Sequence, residues 1–199
     1  MINNLLKKNY HTLICFFLIL SIYFGFFLGE NITLGPKIDF EHALAGANHF
    51  GKDFIFTFLN FDTALDEINA ATRISPIYLI IIFFLNKILI SVDLVRFFLM
   101  NIIMLNQLFF YKSLKLIFKK NVDKKYLLIL SCIIYLSPSF RANAIWPESA
   151  MLGLLFFLIS TYFYLKFKVS EKIKYSFLNI LFLAIASYIR PSFCLFGIF

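Results

Sequence analysis

The feature that most constrains this chain is a series of apolar runs, each close to the length of a bilayer, separated by short lysine-rich segments. The run at 11–29, from Thr12 to Leu28, is followed by others at 74–92, 94–111, 126–137, 150–167 and 175–190. A helix crossing a membrane needs about 20 mostly apolar residues, and globular strands are far shorter than these runs. With 61% hydrophobic residues, 28 phenylalanines and a mean hydropathy of +0.83, the chain exceeds what a soluble domain carries. The sequence therefore reads as an all-α, polytopic transmembrane helix bundle.

The net charge of +8 does not point to nucleic acid, because the lysines sit between apolar runs, where they report topology. Segment 112–125 carries Lys112, Lys115, Lys119, Lys120, Lys124 and Lys125, and segment 166–174 carries Lys166, Lys168, Lys172 and Lys174. If 74–92 crossed the bilayer, these ten of the 19 basic residues would lie opposite the N-terminal Lys7 and Lys8. That arrangement violates the positive-inside tendency. The expectation is an N-terminus inside and five crossings, at 11–29, 94–111, 126–137, 150–167 and 175–190. The segment 74–92, with Pro76 near its start and Asn86-Lys87 in its body, is then a re-entrant or interfacial helix. Region 30–93 becomes one long external loop with juxtamembrane helices, holding eight of the eleven acidic residues. The whole forms a single membrane domain. The run is too long for a signal-peptide core, and no small-x-small site follows it closely. The end at Cys194-Leu195-Phe196-Gly197-Ile198-Phe199 falls inside an apolar stretch, which reads as the N-terminal portion of a longer chain. Cys15, Cys132 and Cys194 all lie in apolar stretches with no metal or disulfide spacing.

The polar break after the first run opens with Ile38-Asp39-Phe40-Glu41-His42. Carboxylates beside hydrocarbon are costly and tend to mark function. Gly35-Pro36 predicts a turn, with a helix over 40–50 beginning near Asp39. Asp39 is then either its cap, with Glu41 and His42 as the solvated first turn, or a working base; the two roles are compatible. His42 and His49, seven apart, share a helix face and with Asp39 offer a divalent-metal set. Arg73, Arg141 and Arg190 lie near prolines on the same side. An arginine fork suits phosphate, and snorkelling to headgroups is the competing role. Glu148, after Trp146-Pro147, is either a helix-start residue or part of a site. No Walker loop, GxGxxG, HExxH or GxSxG motif is present.

Four places resemble the GT-C glycosyltransferases that use polyprenyl-phosphate sugars, above all bacterial members related to protein O-mannosyltransferases and lipid A aminoarabinose transferases. Ile38-Asp39-Phe40-Glu41 is similar to the acidic motif of that family's first external loop. Arg73-Ile74-Ser75-Pro76-Ile77-Tyr78 resembles the start of a juxtamembrane helix, with Ser75-Pro76 in place of the histidine-containing form. Ser137-Pro138 through Trp146-Pro147-Glu148 resembles an external connection with an acidic residue before the next span. Tyr188-Ile189-Arg190-Pro191-Ser192 matches the end of a later one. The resemblance implies transfer of a sugar from a polyprenyl-phosphate donor to a lipid, glycan or protein acceptor, outside a bacterial inner membrane. It implies Asp39 as base with Glu41 in support, and Arg73, Tyr78, Arg141, Glu148 and Arg190 as substrate-binding residues. The family has more than five spans, so part of its core lies outside this sequence. The competing readings are a transporter or flippase-like protein and a non-catalytic membrane subunit.

Overall fold

A computed structural model describes residues 2–31, 34–60, 75–118 and 122–197. Every regular element among the described residues is helical, so the fold is all-α. Helix α1 spans Ile2–Phe27, α2 Leu34–Lys52 and α3 Phe54–Leu59; α4 spans Pro76–Ile88 and α5 Val92–Phe118. Helix α6 covers Lys124–Cys132 and passes through a 3-10 turn, Ile133–Leu136, into α7, Pro138–Ile145. Helices α8, Ser149–Ser170, and α9, Ile173–Ile189, lead to a final 3-10 segment, Pro191–Gly197.

Tyr10–Phe27, Val92–Phe118 and Ser149–Ser170 are each long and apolar enough to cross a membrane. Their large side chains face outward: Phe16, Phe17 and Phe24 on α1 are 56%, 62% and 59% exposed. A soluble protein would bury such side chains, whereas lipid solvates them, so this is an integral membrane protein. The run expected as a span at 126–137 is instead the first arm of a bent pair, α6 with its 3-10 turn, and α7 leaves it at 71°. The cause is local. Pro138 cannot continue the preceding hydrogen-bond ladder, and the Ser137 hydroxyl accepts from the Phe140 amide at 3.3 Å to start a new helix. The run at 175–190 forms α9, an apolar helix of 17 residues. Helix α4 has 13, about 20 Å at the α-helical rise, which is short of a hydrocarbon core of about 30 Å. Ser75 caps α4 and Pro76 takes its first position, where a missing N–H costs nothing.

Helix α2 departs from expectation. It begins at Leu34, before Gly35-Pro36, so Asp39 lies inside the helix and caps nothing. Proline is tolerated in a first turn because the amides there have no intrahelical acceptor. Phe40, Ala43, Ala47 and Phe50 recur at helical spacing and are buried against Tyr78, Leu79, Ile82 and Phe83 of α4. A second core joins α1, α5, α6 and α7 through Cys15, Ile22, Met100, Ile103, Cys132, Tyr135 and Ile145. Helix α5 belongs to both cores, since Val95 and Leu99 lie in the first and Met100 and Ile103 in the second.

The chain path sorts the helix ends. Arg96, near the start of α5, lies over the Phe26 ring at the end of α1, 5.0 Å from its centroid. Arg190, after α9, meets Glu148, before α8. At the other end His11 touches Tyr126 and Lys166 touches Tyr175, so the lysine-rich segments gather there.

Gly25 is required where α1 ends. A Cβ there would collide with the Glu30 carboxylate and lie 2.8 Å from Ile145 Cδ1 and 3.2 Å from Arg141 Nη2. Gly25→Ala should therefore separate Glu30 from Arg141 and cost about 2 kcal/mol. In detergent that appears as a Tm lower by about 5 °C. Gly35→Ala, where a Cβ meets nothing within 4 Å, should leave the Tm unchanged.

Candidate functional site

The short connection Trp146-Pro147-Glu148 lies where the helix ends converge, and each of its residues is held by a different part of the chain. The Trp146 indole N–H donates to the Glu30 carbonyl at 3.0 Å. The Arg96 guanidinium sits 3.5 Å from the centroid of its ring, and Phe40 of α2 packs beside it. The buried Tyr78 hydroxyl at the head of α4 donates to the Pro147 carbonyl. The Glu148 carboxylate pairs with Arg190 Nη1 at 3.8 Å. These contacts fix the start of α8 against α1, α2, α4, α5 and the end of α9.

Glu148 occupies the N-cap position of α8, yet its side chain makes no capping hydrogen bond. The carboxylate turns to Arg190 instead. Burial pushes its pKa above the ordinary 4.5; the Arg190 charge pulls it down and the nearby Asp39 charge raises it further. Arg190 itself caps α9 and remains about a third exposed. Its approach depends on Gly153, where a Cβ would lie 2.8 Å from the Phe193 ring and 3.2 Å from Arg190 Cβ.

Asp39 is exposed on α2, close enough for its charge to be felt at Glu148. Glu41 does not join it. At about 100° per residue, the two carboxylates lie on opposite flanks of the stripe centred on Phe40. Glu41 pairs with Lys37 at 3.9 Å, both side chains exposed. Lys37 in turn reaches over the Trp146 ring, 5.3 Å from its centroid.

Arg141, expected beside Arg190 as a phosphate cation, is engaged otherwise. Its Nε and Nη2 donate to the two Glu30 carboxylate oxygens at 3.1 and 2.5 Å, and Nη1 donates to Ser21 Oγ at 2.8 Å. All three nitrogens hold protein partners, so the residue braces α7 against α1. Arg73 lies outside the described residues. Among the described residues no three His, Cys, Asp or Glu side chains converge as a metal would require. His42 and His49 do not complete a set with Asp39.

The residues missed in the sequence are Glu30, Lys37, Trp146 and Arg96 as connecting groups. Arg96 carried a signal: a charge five residues into an apolar helix is costly unless paired. Here Asp93 meets it at 2.9 Å and the Ile145 carbonyl at 3.3 Å. Glu30 gave none, because its partner is 111 residues away. Comparison with protein-family models, curated proteins and solved structures finds no match.

The shifted Glu148 has a pH consequence. Since its folded pKa lies above 4.5, the stabilisation belongs to the protonated form. It is complete below the unfolded pKa and lost as pH rises through the folded one. Glu148→Gln mimics the neutral acid. Its Tm should gain on the wild type as pH rises from 4 to 7. Adding Asp39→Asn to both proteins should narrow that gain, because the charge raising the Glu148 pKa is gone.

Proposed function

We propose that the chain acts as a membrane glycosyltransferase of GT-C type, moving a sugar from a polyprenyl-phosphate donor to an acceptor hydroxyl. One observation supports this above the rest. Asp39 of α2, Glu148 before α8 and Arg190 after α9 gather at one end of a lipid-facing bundle, although they are far apart in sequence. A lipid-linked donor needs that placement, because its polyprenyl chain stays in hydrocarbon while the sugar is presented at the surface.

In this reading Asp39 accepts the proton of the acceptor hydroxyl. The freed oxygen attacks the anomeric carbon, the bond to the lipid phosphate breaks, and configuration inverts. The base must lie within hydrogen-bond reach of the nucleophile, which an exposed carboxylate on a well-packed helix permits. Arg190 stabilises the departing phosphate; its pairing to Glu148 is long enough at 3.8 Å to be exchanged for a phosphate oxygen. Glu148 holds Arg190 in place before substrate arrives. Tyr78 acts indirectly, by fixing the Pro147 carbonyl. With the lysine-rich end in the cytoplasm, the site faces the periplasm of a bacterial inner membrane and the chain crosses five times, counting α6 with its bend and α9.

A transporter would place ionisable groups near the bilayer midplane. Two polar side chains midway along α5 are bound within the protein: Asn101 accepts from Tyr23 at 2.6 Å, and Gln107 donates to Ser131 at 2.8 Å. They fasten helices together, which favours chemistry at the surface over a path through the bundle.

The test is transfer from a polyprenyl-phosphate sugar in membranes holding the intact protein. Asp39→Asn should lower the rate by at least about 100-fold, the scale of a lost general base. Glu41→Gln should change it by no more than about twofold, as expected of an exposed pair. Unimpaired transfer by Asp39→Asn would remove the base assignment.

A further inference from the structure

At the end of the bundle opposite Glu148, three lysines from three helices converge on two tyrosine rings. Lys112 of α5 lies 5.0 Å from the Phe109 centroid and reaches across to Tyr162 of α8, at 5.9 Å. Lys166 of α8 lies 5.1 Å from that same Tyr162 ring and 5.0 Å from Tyr175 of α9. Lys174 lies 5.2 Å from the Tyr175 ring. The rings are themselves held by aromatic packing, Tyr162 edge-on to Phe109 at 6.0 Å and Tyr175 stacked on Phe163 at 6.1 Å.

Snorkelling lysines extend away from the bundle, each to its own patch of water. Among the described residues Lys115 and Lys168 each contact a single ring, on their own helix, Tyr111 and Tyr164. Lys112 and Lys166 behave differently, bridging to rings on neighbouring helices. Among the described residues none of Lys112, Lys166 or Lys174 has a carboxylate partner. Ring faces hold the ammonium groups by cation–π attraction but leave the charge uncancelled. The three positive charges therefore share two rings with no carboxylate to neutralise them, which leaves them available to an anion.

We propose that Lys112, Lys166 and Lys174, with Tyr162 and Tyr175, form a binding site for the phosphate headgroup of an anionic glycerophospholipid. Basic pockets between helix ends are suited to such headgroups, and the acyl chains would lie along the exposed apolar surface of Phe177 and Ile180 on α9. The site is independent of the chemistry at the opposite end.

The test uses the intact protein in a neutral detergent and native mass spectrometry to measure lipid binding. Phosphatidylglycerol should bind at least about tenfold more tightly than phosphatidylcholine. The triple variant Lys112→Gln, Lys166→Gln, Lys174→Gln should lose that preference. An equal-charge control, Lys115→Gln, Lys124→Gln, Lys168→Gln, should keep it, as should replacement of the first three by arginine. Inorganic phosphate at matched concentration should not displace the lipid. Equal losses in both glutamine triples, no loss in the first, or displacement by inorganic phosphate would each overturn the proposal.

Discussion

The two-pronged contact between Arg141 and Glu30 holds the organisation of this molecule together. The sequence between α1 and α2 is short, and α7 is a brief helix after a sharp bend, buried on one face through Phe140, Ala144 and Ile145. The guanidinium joins them, taking both carboxylate oxygens and Ser21 as well. Its fixed planar fork matches a carboxylate in a way a lysine could not. Each side chain remains about a fifth exposed. The desolvation cost is therefore partial, and the geometry offsets it more readily than it would in a sealed core. Gly25 supplies the space the carboxylate occupies.

From that brace the rest of the polar end follows. With Glu30 fixed, its carbonyl holds the Trp146 indole, and the indole receives Arg96 on its ring. Trp146 is one residue from Pro147 and two from Glu148, so whatever fixes the tryptophan also limits where the carboxylate can go. Tyr78 secures the peptide between them. Glu148 and Arg190 then meet because Gly153 lets the turn after α9 approach α8. Asp39 enters from α2, whose buried stripe of Phe40, Ala43, Ala47 and Phe50 is anchored to α4. A carboxylate, a second carboxylate of raised pKa and a loosely paired guanidinium thus share one surface, on supports formed by five helices.

Much of the fold was legible because lipid imposes a simple rule. Every backbone polar group must be satisfied locally, so long apolar runs have to be helices. At the lysine-bearing end of the bundle His11 meets Tyr126 and Lys112 reaches Tyr162. Two local readings misjudged proline. Pro36 lies within the first turn of α2 and does not delay it, whereas Pro138 breaks a run that hydropathy alone treats as ending smoothly. The site was legible residue by residue but not as a set. Asp39, Glu148 and Arg190 stood out as charges beside prolines or apolar runs. Nothing in one dimension separated Arg141, which is committed to Glu30, from Arg190, which is loosely held. That distinction depends on a partner 111 positions away, and no local pattern encodes it. Glu41 was paired with Asp39 by proximity in sequence, while the helix places them on opposite flanks.

We propose that a lipid-linked phosphate is handled beside Glu148 and Arg190. This handling is tested most directly by photo-crosslinking with a polyprenyl phosphate that carries a diazirine beside its phosphate. Label should concentrate at 146–149 and 190–193, and fall when Arg190 is replaced by glutamine. Label confined to lipid-facing positions of α1 such as Phe16 and Phe17, with none on either segment, would contradict it.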